Sequence, residues 1–204
     1  MEQRDDVYLE RATLYNQLGN YSKAIELIDR RIFHPWEGGE GKVPAQYQFA
    51  RVELAKELIL KKDYAKAISL LNECFEYPHN LGEGKLHGAQ ENDFNYWLGC
   101  AYEGAGMQEQ ARKHWELAKE GNNEPAAAIF YNDQKPDKIL YQGLALLKLN
   151  KLYEAERVFN KLVSYGESHL SDRIKLDYFA VSLPDLLIWD DDLNLRNRIH
   201  CLLS

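Results

Sequence analysis

The stretch Trp97-Leu98-Gly99-Cys100-Ala101-Tyr102-Glu103-Gly104-Ala105-Gly106-Met107-Gln108-Glu109-Gln110-Ala111 decides how this chain folds. Trp97, Leu98, Ala101 and Tyr102 recur at the three- and four-residue intervals of one helix face. Gly106 interrupts them. Ala111, Trp115 and Ala118 then form a second stripe. Two helices joined by a tight turn are predicted, with the break residue in the left-handed position that ends a helix.

The same plan recurs along the chain. Ala24, Ala67, Ala111 and Ala155 follow one another at intervals of 43, 44 and 44 residues. In the first unit Tyr8, Ala12 and Tyr15 precede a break at Leu18-Gly19-Asn20, and Tyr21, Ala24, Ile25, Ile28 and Ile32 follow it. The second has Leu54, Ala55 and Leu58, a break at Lys62-Asp63, then Tyr64, Ala67, Ile68, Leu71 and Phe75. The fourth has Gly143, Leu146 and Leu147, a break at Asn150, then Leu152, Ala155, Phe159 and Leu162. Ala12, Ala55, Gly99 and Gly143 are small mid-helix residues that let a partner helix approach, and Tyr15 and Tyr102 are expected to pack across the pair. A lone hairpin leaves an apolar face bare, so the units are expected to stack.

Trp97-Leu98-Gly99, Tyr102, Gly106 and Ala111 resemble the tetratricopeptide repeat signature, and Tyr8, Ala12, Tyr15, Gly19, Tyr21 and Ala24 resemble it again. The resemblance covers roughly residues 6–164. It implies an all-α, right-handed α-solenoid of about four helix hairpins and a non-catalytic scaffold that binds a peptide, a partner protein or an adjacent domain on its concave face and loops. The predicted units are about 5–46, 47–90, 91–135 and 136–170, followed by C-terminal helices in 171–204. Units two and four lack the first-helix tyrosine and the break glycine. The family repeat is about 34 residues long, so each unit here carries roughly ten more.

Charge and composition narrow the function. A net charge of −7 argues against a general binder of nucleic acid or of anionic membrane. No apolar run reaches the roughly 18 residues that a transmembrane helix needs, and the first residues do not resemble a signal peptide. Cys74, Cys100 and Cys201 form no CxxC pair, as expected of free thiols in a cytoplasmic, reducing compartment.

The additional residues fall after each second helix. The first insertion reads His34-Pro35-Trp36-Glu37-Gly38-Gly39-Glu40-Gly41-Lys42, and the second runs from His79 to Gln90. Gly-Glu-Gly-Lys occurs in both, at 39–42 and 82–85. One account is a turn duplicated together with its helices. The other is a composite site along one edge, built from Trp36, Glu37, Glu40, Lys42, Glu83, Lys85, His87, Gln90, Asn92, Asn132, Asp133 and Gln134. Trp36 suits a stacking platform or a plug between units. Glu40 and Glu83 would also suit a saccharide, which gives the alternative of an accessory module completing a carbohydrate site. Gly-Glu-Gly-Lys is not a phosphate loop, because the earlier glycine and the following Ser or Thr are missing. His79, Glu83 and His87 are spaced by four, but Gly82 and Gly84 oppose a continuous helix, so no metal site and no cofactor is expected.

Near the end, Ser171 is a candidate N-cap, Pro184 a stop, and Leu195, Ile199 and Leu202 a last stripe. Asp190-Asp191-Asp192 lacks the spacing of a calcium loop. The apolar terminus suggests a piece of a larger protein, since solenoids need polar caps. The two glycine-rich insertions and Asp177–Asp185 resemble the C-terminal repeats of large bacterial proteins that carry an upstream β-sandwich domain related to carbohydrate-active enzymes. That resemblance implies a carbohydrate-metabolism setting and no reaction.

Overall fold

The computed structural model describes residues 4–126 and 134–170, and every regular element among them is helical. In chain order these are α1 (Asp5–Gln17), α2 (Tyr21–Arg30), α3 (Lys42–Leu60), α4 (Tyr64–Glu73), α5 (Asn92–Gly104), α6 (Gln108–Ala118), α7 (Pro136–Lys148) and α8 (Leu152–His169). A single 3₁₀ turn lies at His79–Leu81. The segment 171–204, with its expected helices, lies outside the described residues.

Each hairpin turns in the same way. Gly19, Lys62, Gly106 and Asn150 adopt φ of 72°, 63°, 78° and 60°, and they recur at intervals of 43, 44 and 44 residues, the pitch of the alanines. The amide after each reaches back five residues: Asn20 to Tyr15 O, Asp63 to Leu58 O, Met107 to Tyr102 O and Lys151 to Leu146 O, at 2.8–2.9 Å. This is the Schellman closure, which satisfies carbonyls that the helix end leaves open. Lys62 takes the left-handed position although it is neither Gly nor Asn. The turn dictates the conformation there, and the side chain bears the strain.

The described residues fall into two compact units, one within Met1–Ala89 and Trp97–Ala111, the other within Gln90–Tyr96 and Arg112–Ser204. In the first, α1 packs on α2 and α3, α2 on α3, and α3 on α4. Ala12, Ala24, Ala50, Ala55, Ala67 and Ala111 are wholly buried, where small side chains let backbones approach. Gly104 serves the same end, because a Cβ there would lie 2.3 Å from the Tyr64 ring. Leu9, Ala12, Ile28, Phe33, Val43, Tyr47 and Leu81 form a continuous core cluster. Burying side chains of this size contributes roughly 1.5–3 kcal/mol each.

Ile32 does not continue the α2 stripe. The helix stops at Arg30 and Arg31 is extended (φ −96°, ψ 137°), so the 3.6-residue register lapses. Phe33 turns inward, and Ile32 is 63% exposed. Arg51, 3% exposed, ties three helices together. Its Nη2 meets both oxygens of Asp29 on α2 at 2.8 Å, and its Nε meets Glu73 on α4 at 2.9 Å. The guanidinium also lies 3.6 Å from the Tyr47 ring centroid. Burial pushes the Tyr47 phenol up to about 12.

In the second unit α7 pairs with α8 around Ile139, Leu146, Ala155, Val158 and Leu162. Gly143 admits the Phe159 ring, 2.3 Å from where a Cβ would stand. Leu147 and Leu152, expected on the stripes, are 40% and 66% exposed. Leu146 and Ala145 already fill the inward arc of α7, and Leu152 is the first residue of α8, beside the turn.

Candidate functional site

The site begins with a strap. After α2 the chain leaves the helix at the extended Arg31 and continues without regular structure to His34, and two distant residues hold it. Asp5, in the first turn of α1, accepts from Arg31 Nε and from the His34 amide, both at 2.8 Å. Burial would raise its carboxyl, but these donors outweigh that and hold it below the ordinary aspartate value. Asn80 donates to Ile28 O and Arg31 O at 3.0 and 3.1 Å, while its own carbonyl accepts the Phe33 amide at 2.8 Å. The second insertion thereby closes the C-terminus of α2. Gly82 makes the approach possible, since a Cβ there would lie 2.5 Å from Phe33 O.

Beyond the strap, Trp36 folds back on Gly39, where a Cβ would come within 2.2 Å of the indole. Trp36 is half-buried and packs on the Phe33–Leu81 core. It also lines a pocket of about 260 Å³, whose wall includes His34, Pro35, Glu37 and Glu40 from the first insertion and Glu83 from the second. Val43 and Leu81 add apolar surface. Gly41, with φ 73°, turns the chain into α3. Its amide donates to Glu83 Oε2 at 2.7 Å, which joins the two insertions. Burial, together with the charge of Glu40, raises the Glu83 carboxyl above the ordinary glutamate value against the pull of that hydrogen bond.

The two Gly-Glu-Gly-Lys copies are therefore not conformational equivalents. In the first copy the second glycine, Gly41, has positive φ, and Lys42 starts a helix at once. In the second copy the first glycine, Gly82, has positive φ. Lys85 instead donates to Phe75 O at 3.1 Å, and α5 begins only at Asn92. The sequence repeats, and the surroundings do not.

Of the residues named from sequence, Trp36, Glu37, Glu40 and Glu83 line one pocket. Lys42 starts α3, and Lys85 and His87 are exposed and absent from the pocket wall. Gln90, Asn92 and Gln134 belong to the second unit and tie its backbone. Asn92 Nδ2 donates to Ala118 O and Glu120 O at 2.8 Å, Gln90 Oε1 accepts the Lys135 amide at 3.3 Å, and Gln134 Nε2 donates to Asn92 Oδ1 at 3.5 Å. Asn132 and Asp133 lie outside the described residues. Sequence reasoning missed Asp5 and Asn80, whose roles depend on contacts with distant residues. It also missed Leu81 and Val43, which carry no motif. Among the described residues no three His, Cys, Asp or Glu side chains gather as metal ligands. No described helix is long and apolar enough to cross a membrane.

No solved structure matches the chain. Residues 5–30, which hold α1, its Schellman turn and α2, match the tetratricopeptide repeat family model, and with that first hairpin and the all-helical order of the described residues the fold is that of a tetratricopeptide-like α-solenoid.

Proposed function

We propose that the chain is a non-catalytic interaction module that binds a partner polypeptide, with the pocket bounded by Trp36, Glu40 and Glu83 as a point of contact. Tetratricopeptide repeats generally mediate protein–protein interaction, and insertions repeated along one face of a solenoid are often where ligands attach. The observation that supports this reading is convergence. Two insertions more than 40 residues apart in the chain supply Trp36, Glu40 and Glu83 to one concavity of about 260 Å³.

A random peptide display library panned on the immobilised chain tests the proposal, with selected peptides measured by fluorescence anisotropy. Trp36→Ala combined with Glu83→Ala is expected to weaken them about tenfold, or roughly 1.4 kcal/mol, with helical circular dichroism retained. Undiminished binding to a helical variant would remove the pocket from the interaction. Trp36 beside two carboxylates also suits a saccharide, so a glycan array accompanies the peptides. Glycan binding without peptide binding would replace the interaction reading with the carbohydrate one.

A further inference from the structure

We infer that the Trp36–Glu40–Glu83 pocket receives the cationic side chain of a lysine or arginine on the partner, an assignment that rests on the interaction-module reading above and adds the chemistry of the contact. The wall carries three carboxylates, from Glu37, Glu40 and Glu83, and no lysine or arginine. Its one imidazole, His34, has Nδ1 3.2 Å from Asp5 Oδ2. An anionic ligand would meet like charge here, and a cation meets its complement.

The carboxylates are placed for the purpose. Gly41 fixes Glu83 through Oε2 at 2.7 Å, so little rotamer entropy remains to be lost when a ligand binds. Glu40 precedes Gly41 in the same turn and is close enough for its charge to raise the Glu83 carboxyl. The half-buried Glu83 carboxylate feels the like charge of the exposed Glu40, and a bound cation relieves that repulsion. Beside the acids, Trp36, Pro35, Val43 and Leu81 line the same pocket with apolar surface. A lysine or arginine has that same division, an apolar stem and a charged head, which favours a side chain over a bare metal ion or a neutral sugar.

The test uses the whole chain and four short peptides, identical except for a central Lys, Arg, norleucine or Glu. Binding is followed in ¹⁵N–¹H spectra by the Gly39 and Gly41 amides and the Trp36 indole. The Lys and Arg peptides are expected to shift these resonances saturably. Glu40→Gln with Glu83→Gln, which keeps an acceptor for Gly41, is expected to weaken them about tenfold, and salt to weaken them further. Shifts of equal size with norleucine or Glu, no shift with Lys or Arg, or undiminished shifts in the double variant would each overturn the assignment. So would calcium alone reproducing them. Display-selected peptides that lack a basic residue but still lose affinity in the Trp36→Ala, Glu83→Ala variant would sink this inference and leave the interaction reading standing. An absence of any peptide binding would remove both.

Discussion

The Gly41 amide donates to the Glu83 carboxylate at 2.7 Å, one copy of a duplicated motif holding the other across 42 residues of chain. Burial, with Glu40 nearby, raises the Glu83 carboxyl, so the charged form is disfavoured in the folded state. A group raised in this way contributes stability below its unfolded value and loses it as pH rises through the folded one. Glu83→Gln removes the charge and keeps the acceptor, so it is expected to match or exceed the parent in urea stability at neutral pH. Glu83→Ala is expected to cost about 1 kcal/mol and to speed hydrogen exchange at Gly41. A less stable Gln variant would show that the negative charge itself is what the loop needs.

The inverted glycine roles give a matched pair within one motif. Gly82 has φ 75°, and a Cβ there would meet backbone at Phe33 O, whereas Gly84 has no atom within 4 Å of its Cβ position. Gly82→Ala is expected to cost about 2 kcal/mol or more, combining left-handed strain with a clash that a side-chain rotation cannot relieve. Gly84→Ala is expected to stay within about 0.5 kcal/mol of the parent. Thermal denaturation of the two variants side by side decides it, and equal losses would mean that Gly82 carries no strain or clash that Gly84 lacks.

The fold was legible because its signal is periodic. Alanines at one pitch and left-handed turn residues at the same pitch are local consequences of a repeated brick, and Gly19, Gly106 and Asn150 could be read directly. Lys62 could not, because its own preference opposes the turn and the hairpin overrides it. Ile32 was misplaced for a related reason. Helical phase predicts burial only while the helix lasts, and α2 has ended at Arg30, with Asp5 and Asn80 holding the extended Arg31 just before Ile32. The insertions have no period at all. Trp36, Glu37, Glu40 and Glu83 were conspicuous as residue types, but their shared pocket depends on long-range contacts that leave no pattern in either segment.

Lys62 in turn identifies a stabilising substitution. It is exposed, has φ 63°, and stands where two of the other three turns use glycine. The left-handed conformation costs an L-residue about 1–2 kcal/mol, and part of the gain from glycine is lost to its greater freedom when unfolded. Lys62→Gly is therefore expected to raise stability by about 0.5–1 kcal/mol without altering the helical spectrum. A loss of stability would mean that the lysine side chain makes a contact worth more than the strain.

His114 provides a pH handle in the second unit. It lies on α6 with Nδ1 2.9 Å from Asn95 Oδ1. Asn95 Nδ2 donates to Glu91 O at 3.0 Å, which turns the amide oxygen toward the ring and assigns the imidazole proton to Nδ1. Burial, with the Lys113 charge beside it, lowers the imidazole below its ordinary 6.5. A depressed folded value means that the contribution to stability is full above about 6.5 and is lost as pH falls through the folded value. The His114 ring protons are expected to titrate in NMR with a midpoint under 6.5. The thermal midpoint of the parent should then fall more steeply between about pH 7 and 5 than that of His114→Gln, which has no proton to gain. Equal slopes in parent and variant, or a titration midpoint above the ordinary value, would show that the ring is solvated and that burial does not hold it neutral.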